Sequence, residues 1–208
     1  MDVAHKHEDG TVDNYGSLEV TNGMVTIANV TSFSEFSISV AAGNLFTDAN
    51  GASIQFMGGS LRRRVVAGTD EVIDYETDIR FGYTFTLPEG AELLYGSSNN
   101  YFTWGTGNST DNRGDVWMQN KEDKGNNTYV ANLVVNKVTR ANYDLNINTK
   151  LTITYTYGGH TYTLSTDSNT RSVEEVCGAI KTAYANDTDN TWYRYAQYLM
   201  DEIDYYYE

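Results

Sequence analysis

The chain has 208 residues and a formal net charge of −14, from 28 Asp and Glu against 14 Lys and Arg. That sign disfavours nucleic acid, whose phosphates select basic surfaces, and disfavours an anionic membrane surface. No run reaches the roughly 20 apolar residues of a membrane-spanning helix, and the lone Cys177 excludes a disulfide within the chain.

The length suits one domain of roughly 150 residues and a smaller piece. Residues 1–14 are polar and aperiodic, and a flexible N-terminus is expected there. No apolar leader follows Met1. Either the protein is cytosolic or the chain is cut from a longer exported one, and the second reading is preferred. Residues 15–44 are expected to form a β-hairpin region. Ser17–Thr21 and Met24–Ala28 flank Asn22-Gly23, whose residues tolerate the positive φ of a tight hairpin turn. Ser34–Val40 alternates again.

Residues 45–208 read as the main module. After the turn Asp48–Gly51, Ile54 and Phe56 alternate with Ser53 and Gln55. Gly58-Gly59 is expected to interrupt that strand, and Leu61–Val66 to resume it. Ile79, Phe81, Tyr83, Phe85 and Leu87 then hold a two-residue period, the mark of a half-buried strand. Residues 96–128 are expected to be a long irregular loop, with a short strand at Val116–Met118. Tyr129, Ala131, Leu133 and Val135 form another alternating face. Leu151, Ile153, Tyr155 and Tyr157 pair across Gly158-Gly159 with Tyr162 and Leu164, a second hairpin. At Arg171 the period changes. Ser172 and Glu175 have capping-box spacing, and Val173, Val176, Cys177, Ile180 and Tyr184 follow a helix. A second helix is expected over about Asn190–Asp204, with Trp192, Tyr195, Ala196, Leu199 and Ile203 on one stripe.

Three stretches carry a resemblance. Gly51-Ala52-Ser53-Ile54 with Leu61-Arg62 resembles the "GASIR…GLRF" opening of a β-rich module of large secreted or wall-attached Firmicutes proteins. Asp78–Leu94, a strand closing on Pro88, resembles that module's next segment. Thr149–Val176, with Arg171-Ser172-Val173 and Val176, resembles its "RSVxxVA" ending. Val25–Ser39, which contains VTSFSEFSIS, is similar to the closing strands of an Ig-like unit that often precedes such modules. The chain departs from the pattern at Gln55, Arg63 and Cys177, so no shared ligand contact through position 55 is implied. The resemblance implies an extracellular or cell-surface, non-catalytic part of a multidomain protein.

The candidate ligand site lies in and beside the 95–119 region. Tyr95, Tyr101, Trp104 and Trp117 offer ring faces for sugar C–H groups. Asn108, Asp111, Asp115 and Gln119 offer hydrogen bonds to hydroxyls. The competing reading has both tryptophans covering the edge of the core. Arg62, Arg63 and Arg64 suggest an anion site, but strand alternation splits them across two faces, and pairing with local carboxylates is the better reading. Arg113-Gly114-Asp115 matches the integrin tripeptide and reads as a turn. His5-x-His7 with Glu8 has metal-binding spacing on an aperiodic start, and His160 is expected to face water. Asp48-x-Asn50-Gly51 is similar to the start of a calcium loop without its closing Glu, so a turn is favoured. Calcium at another Asp/Asn-rich loop stays open, and no other cofactor is implied. Cys177 sits on the apolar stripe of its helix, without a His or Asn at nucleophile spacing. Nucleotide-loop, hydrolase-elbow and zinc-protease motifs are absent.

The expectation is thus a mainly β fold: an antiparallel β-sandwich or twisted sheets, with one or two C-terminal helices. The expected role is carbohydrate binding without catalysis, with a glycan or other surface ligand and neighbouring domains as partners and no membrane insertion. The alternative is a structural spacer or adhesin module with no small ligand.

Overall fold

In a computed structural model of the chain, the described residues are 2–6, 12–17, 45–62, 76–107, 109, 111–115 and 122–207. The chain divides into two compact units, Met1–Ala42 and Gly43–Glu208. In the first, β1 (Asp2–Lys6) and β2 (Val12–Ser17) pair antiparallel. Strand therefore occupies part of a start that looks aperiodic in sequence. Ladder bonds join backbone groups, which every residue but proline carries in full, so apolar alternation is not required. The expected hairpin at Asn22-Gly23, the strand Ser34–Val40, and Arg63 and Arg64 lie outside the described residues.

The second unit is built as β3 (Leu45–Thr47), β4 (Ser53–Arg62), β5 (Glu76–Thr86), β6 (Glu92–Leu93), β7 (Tyr101–Thr106), β8 (Asn112–Asp115), β9 (Glu122–Asp123), β10 (Thr128–Thr139), β11 (Ile147–Tyr157), β12 (His160–Ser165) and β13 (Asn169–Arg171). Two helices follow, α1 (Val173–Ala183) and α2 (Thr191–Tyr207). The first sheet runs β3-β4-β5-β10-β9. The second runs β12-β11-β7-β8, with β6 and β13 also paired to β11, and all pairings are antiparallel. The chain is mainly β, with its helices at the C-terminal end.

The sheets pack face to face because their alternating apolar sides need a common interior. Ile79, Phe81, Tyr83 and Phe85 of β5, Ala131 and Leu133 of β10, and Leu151, Ile153 and Tyr155 of β11 are all buried there. Each such large side chain contributes about 1.5–3 kcal/mol over leaving it in water. Tyr83 spans the gap. Its ring lies 5.4 Å from that of Phe102 on β7, and its hydroxyl is 2.6 Å from the Thr149 hydroxyl on β11. Burial pushes that phenol up to about 12.

Gly58-Gly59 does not end its strand. β4 continues through it with a bulge between Phe56 and Gly58, where Gly58 has φ 112°. Gly59 leaves room for α1: a Cβ there would stand 3.0 Å from Val176 Cγ2. The helix starts as its spacing predicts. The Ser172 hydroxyl accepts from the Glu175 backbone N–H at 3.0 Å, and the Glu175 carboxylate accepts from the Ser172 N–H at 3.0 Å. Val173, Val176 and Cys177 turn inward, and burial raises the Cys177 thiol to about 12, as an inert core group requires. α2 packs through Tyr195, Ala196 and Leu199, and the Tyr195 hydroxyl donates to Thr77 Oγ1 at 2.8 Å. Trp192, 38 % exposed, meets the Tyr195 ring edge-on at 6.1 Å. Tyr193 faces its helical neighbour, with the Lys181 ammonium 6.0 Å from its ring.

Candidate functional site

β11 organises the second sheet. Its eleven residues carry a broken strand on each flank: β7 pairs Ile147–Thr152 and β6 pairs Tyr155-Thr156 on one side. On the other side β13 pairs Ile147–Thr149 and β12 pairs Thr152–Tyr157. Between β6 and β7 the chain leaves the sheet over Leu94–Asn100. The Asn100 side chain, 1 % exposed, closes the gap. Its carbonyl accepts from the Thr154 backbone N–H at 3.1 Å, its amide donates to the Leu94 carbonyl, and the Leu94 N–H donates to the Thr154 carbonyl at 3.0 Å. One side-chain amide thus replaces a missing peptide in the ladder.

This splice shapes the candidate site. Tyr95 and Tyr101 flank the excursion. Tyr95 is 60 % exposed, while the Tyr95 carbonyl accepts from the Asn99 amide at 2.9 Å, which keeps the excursion compact. Tyr101 precedes the fully buried Phe102, so strand alternation puts Tyr101 on the outer face of the sheet, where it is half-buried. In register it stands between Thr152 of β11 and Asp115 of β8.

Trp104 follows the other parity. It lies on the Phe102 side and packs against the core from a half-buried position, next to Gly114. The edge-of-core reading of this indole describes its place. Asp111 is exposed at the end of the β7–β8 connection, its carboxylate accepting from the Ser109 hydroxyl at 2.7 Å. Gly105 permits that connection to fold back, since a Cβ there would come within 2.6 Å of the Ser109 carbonyl oxygen. Asn108, Trp117 and Gln119 lie outside the described residues, as does the expected strand Val116–Met118.

Two expectations need correcting. Residues 96–128 are not one long loop, because β7, β8 and β9 fall within them. Pairing to β11 and β10 supplies the order that their Gly, Asn and Thr content conceals. Arg113-Gly114-Asp115 is not a turn but lies in β8. Gly114 faces the interior there, where a Cβ would meet Leu133 Cδ1 at 2.8 Å.

Sequence reasoning missed the hydroxyl rows beside Tyr101. The outer face carries Thr103 on β7, Thr152, Thr154 and Thr156 on β11, and Thr161, Thr163 and Ser165 on β12. Facing hydroxyls pair across the strands: Thr152 with Ser165 at 2.8 Å and Thr154 with Thr163 at 3.2 Å. Lys150 adds a cation opposite Thr103. The signal was present as T-x-T-x-T in 152–156 and T-x-T-x-S in 161–165, but it served only as the polar half of the strand rhythm.

The turn at Asp48 has its own work. One carboxylate oxygen accepts from the Asn50 and Ala52 N–H groups at 2.9 and 3.0 Å, and the other accepts from the Tyr155 hydroxyl. The carboxylate thus ties the β3–β4 turn to the second sheet. Among the described residues no group of three or more His, Cys, Asp or Glu is placed to hold a metal ion. Arg62 ends β4 in register with Asp78.

Compared with known proteins, the chain matches no family model, no curated protein and no solved structure.

Proposed function

We propose that this chain is a non-catalytic extracellular module of a bacterial surface or secreted protein, and that it binds polysaccharide along the outer face of the second sheet. One observation carries the reading: the exposed Tyr95 and the outward Tyr101 flank an excursion that abuts paired rows of Thr and Ser hydroxyls on β11 and β12. A sugar ring presents apolar C–H faces that stack on tyrosine and hydroxyls that exchange bonds with threonine. Thr161, Thr163 and Ser165 are exposed and Thr103 and Thr156 half-buried, while Thr152 and Thr154 are buried and the Thr154 hydroxyl donates to the Asn99 carbonyl at 2.9 Å. The contact surface is therefore shallow, so single-site affinity is weak and gains strength from repetition in a longer parent protein. The acidic charge and the resemblance to wall-attached modules support the location.

Affinity electrophoresis on starch, xylan, pectin and mucin tests the proposal. Retardation on at least one of them is expected, lost in Tyr95→Ala and Tyr101→Ala. Trp104→Ala is not informative here, because the indole packs on the core. Migration unaffected by every glycan sinks the binding role and leaves the spacer reading. Retardation that survives both tyrosine variants sinks the site.

A further inference from the structure

Among the described residues the second sheet ends in β12, and the free edges of the two sheets there are protected very unequally. β3 has three residues and β9 two, while β8 has four and includes Arg113 and Asp115. Short or charged edge strands resist pairing with other chains. β12 has six residues, His-Thr-Tyr-Thr-Leu-Ser, and its register with β11 is unbroken from Thr152↔Ser165 to Tyr157↔His160. Residues 151–166 contain no Asp, Glu, Lys or Arg, in a chain of net charge −14.

The direction of the free backbone groups follows from the ladder. The hairpin turns on Gly158 and Gly159, with φ 58° and 79°, the two-residue turn that fixes register. Thr154 directs its N–H to Asn100 and its carbonyl to Leu94, away from β12. Thr154 and Thr163 are therefore a non-hydrogen-bonded pair, and Thr163 turns its own N–H and C=O to the open edge. By the two-residue period, Thr161 and Ser165 do the same.

We propose that this edge docks a second copy of the chain, the two β12 strands pairing antiparallel about a two-fold axis at Thr163. The strand is self-complementary in that register. Thr161 faces the partner's Ser165, Thr163 faces the partner's Thr163, and Tyr162 faces the partner's Leu164. Hydroxyl meets hydroxyl on the outer face. On the inner face aromatic meets leucine, covering the part of Tyr162 and Leu164 that their own core leaves half-buried. Copies of an acidic protein repel each other, and the neutral hairpin is where backbones approach with least opposition. A foreign extended strand could use the same backbone groups, but the matched side chains and neutral edge favour a second copy. One edge strand falls well short of the roughly 800 Å² per partner of a standard interface, so association is weak and concentration-dependent. The two-fold axis runs perpendicular to the sheet, so both outer faces point the same way. Pairing stands independently of what those faces bind.

Sedimentation equilibrium of the full chain and oxidative cross-linking test this inference. The weight-average mass is expected to rise from monomer toward dimer with concentration, and Thr163→Lys, which sets like charges opposite each other at the axis, is expected to remain monomeric with an unchanged far-ultraviolet spectrum. Thr163→Cys is expected to form a disulfide-linked dimer on oxidation, since facing Cα atoms in a hydrogen-bonded pair lie about 5.5 Å apart, within disulfide reach. Thr84→Cys, on the outer face of the first sheet, is the control expected not to form one, and the buried Cys177 adds no background. A monomer at every concentration, a Lys variant that associates like the parent, or equal cross-linking of the two cysteine variants overturns the proposal. Glycan retardation is scored separately, so failure of either reading leaves the other standing.

Discussion

The two sheets of the second unit solve the same problem by different means. The first is carried by three long strands, β4, β5 and β10, that pair over nearly their whole lengths. The second has one long strand, β11, and collects short pieces around it. Where those pieces stop, side chains finish the ladder: Asn100 bridges Leu94 and Thr154, and Asn148 joins the Gly107 carbonyl to the Thr170 hydroxyl. Asn169 reaches the Tyr83 hydroxyl at 3.3 Å. A sheet of continuous strands needs only alternation, whereas a sheet of fragments needs particular amides at particular places. The fragmented sheet also holds the surface excursions and the open edge.

If β11 is the template, its interior is the most sensitive place to cut. Ile153→Ala leaves a cavity between the sheets and is expected to cost about 2–5 kcal/mol in urea unfolding. A cost below that of the exposed Leu45→Ala would break the comparison.

Tyr83 connects the two sheets, so alkaline pH probes their union. Its phenol is raised from 10 to about 12, chiefly by desolvation. The stabilising contribution is complete below pH 10, where both folded and unfolded chains keep the proton. It is lost as pH rises toward the folded value, because the unfolded chain ionises first. Full loss is on the order of 2–3 kcal/mol. Cys177 acts in the same direction from an ordinary value of 9. Urea midpoints are expected to fall above pH 9, with a shallower fall in Tyr83→Phe and Cys177→Ala. A flat profile to pH 12 would contradict the burial of both groups.

Asn100→Ala isolates the splice. It strands the Thr154 N–H and the Leu94 carbonyl, with an expected loss of about 1–3 kcal/mol. Faster hydrogen exchange at Thr154 is the local sign. Asn132→Ala, on the outer face of the first sheet, is the matched control and is expected to change stability much less. Equal costs would mean that the fragmented sheet does not depend on its amides.

The helical end gives the smallest effects. Ser172→Ala removes the cap and is expected to cost about 1 kcal/mol. Tyr143→Phe is expected to be neutral or slightly stabilising. The hydroxyl is buried beside Tyr195, Cys177, Tyr198 and Glu202, has no hydrogen-bond partner among the described residues, and is raised well above the ordinary phenol range by burial. A Tm lowered by the change would show that the hydroxyl is doing more than filling space.

Much of this molecule was legible in its residues because alternation and turn chemistry are local. Phe81, Tyr83 and Phe85 announce the inward side of β5, Gly158-Gly159 announces the hairpin, and Ser172 with Glu175 announces the start of α1. The mainly β class and the C-terminal helices follow from the same local preferences. The candidate site was only half legible. Tyr95 and Tyr101 lie on accessible surface near the predicted place, but Trp104 turns to the core because its parity matches Phe102. Tertiary structure alone decided which fragments of 96–128 became strands, since short Gly- and Asn-rich segments have weak preferences and take their order from a neighbouring ladder. It alone made Asn100 a backbone substitute and gathered the threonines of β11 and β12 into one face. Those outcomes depend on which strand lies next to which, and the local rhythm of a single chain segment does not encode its neighbour.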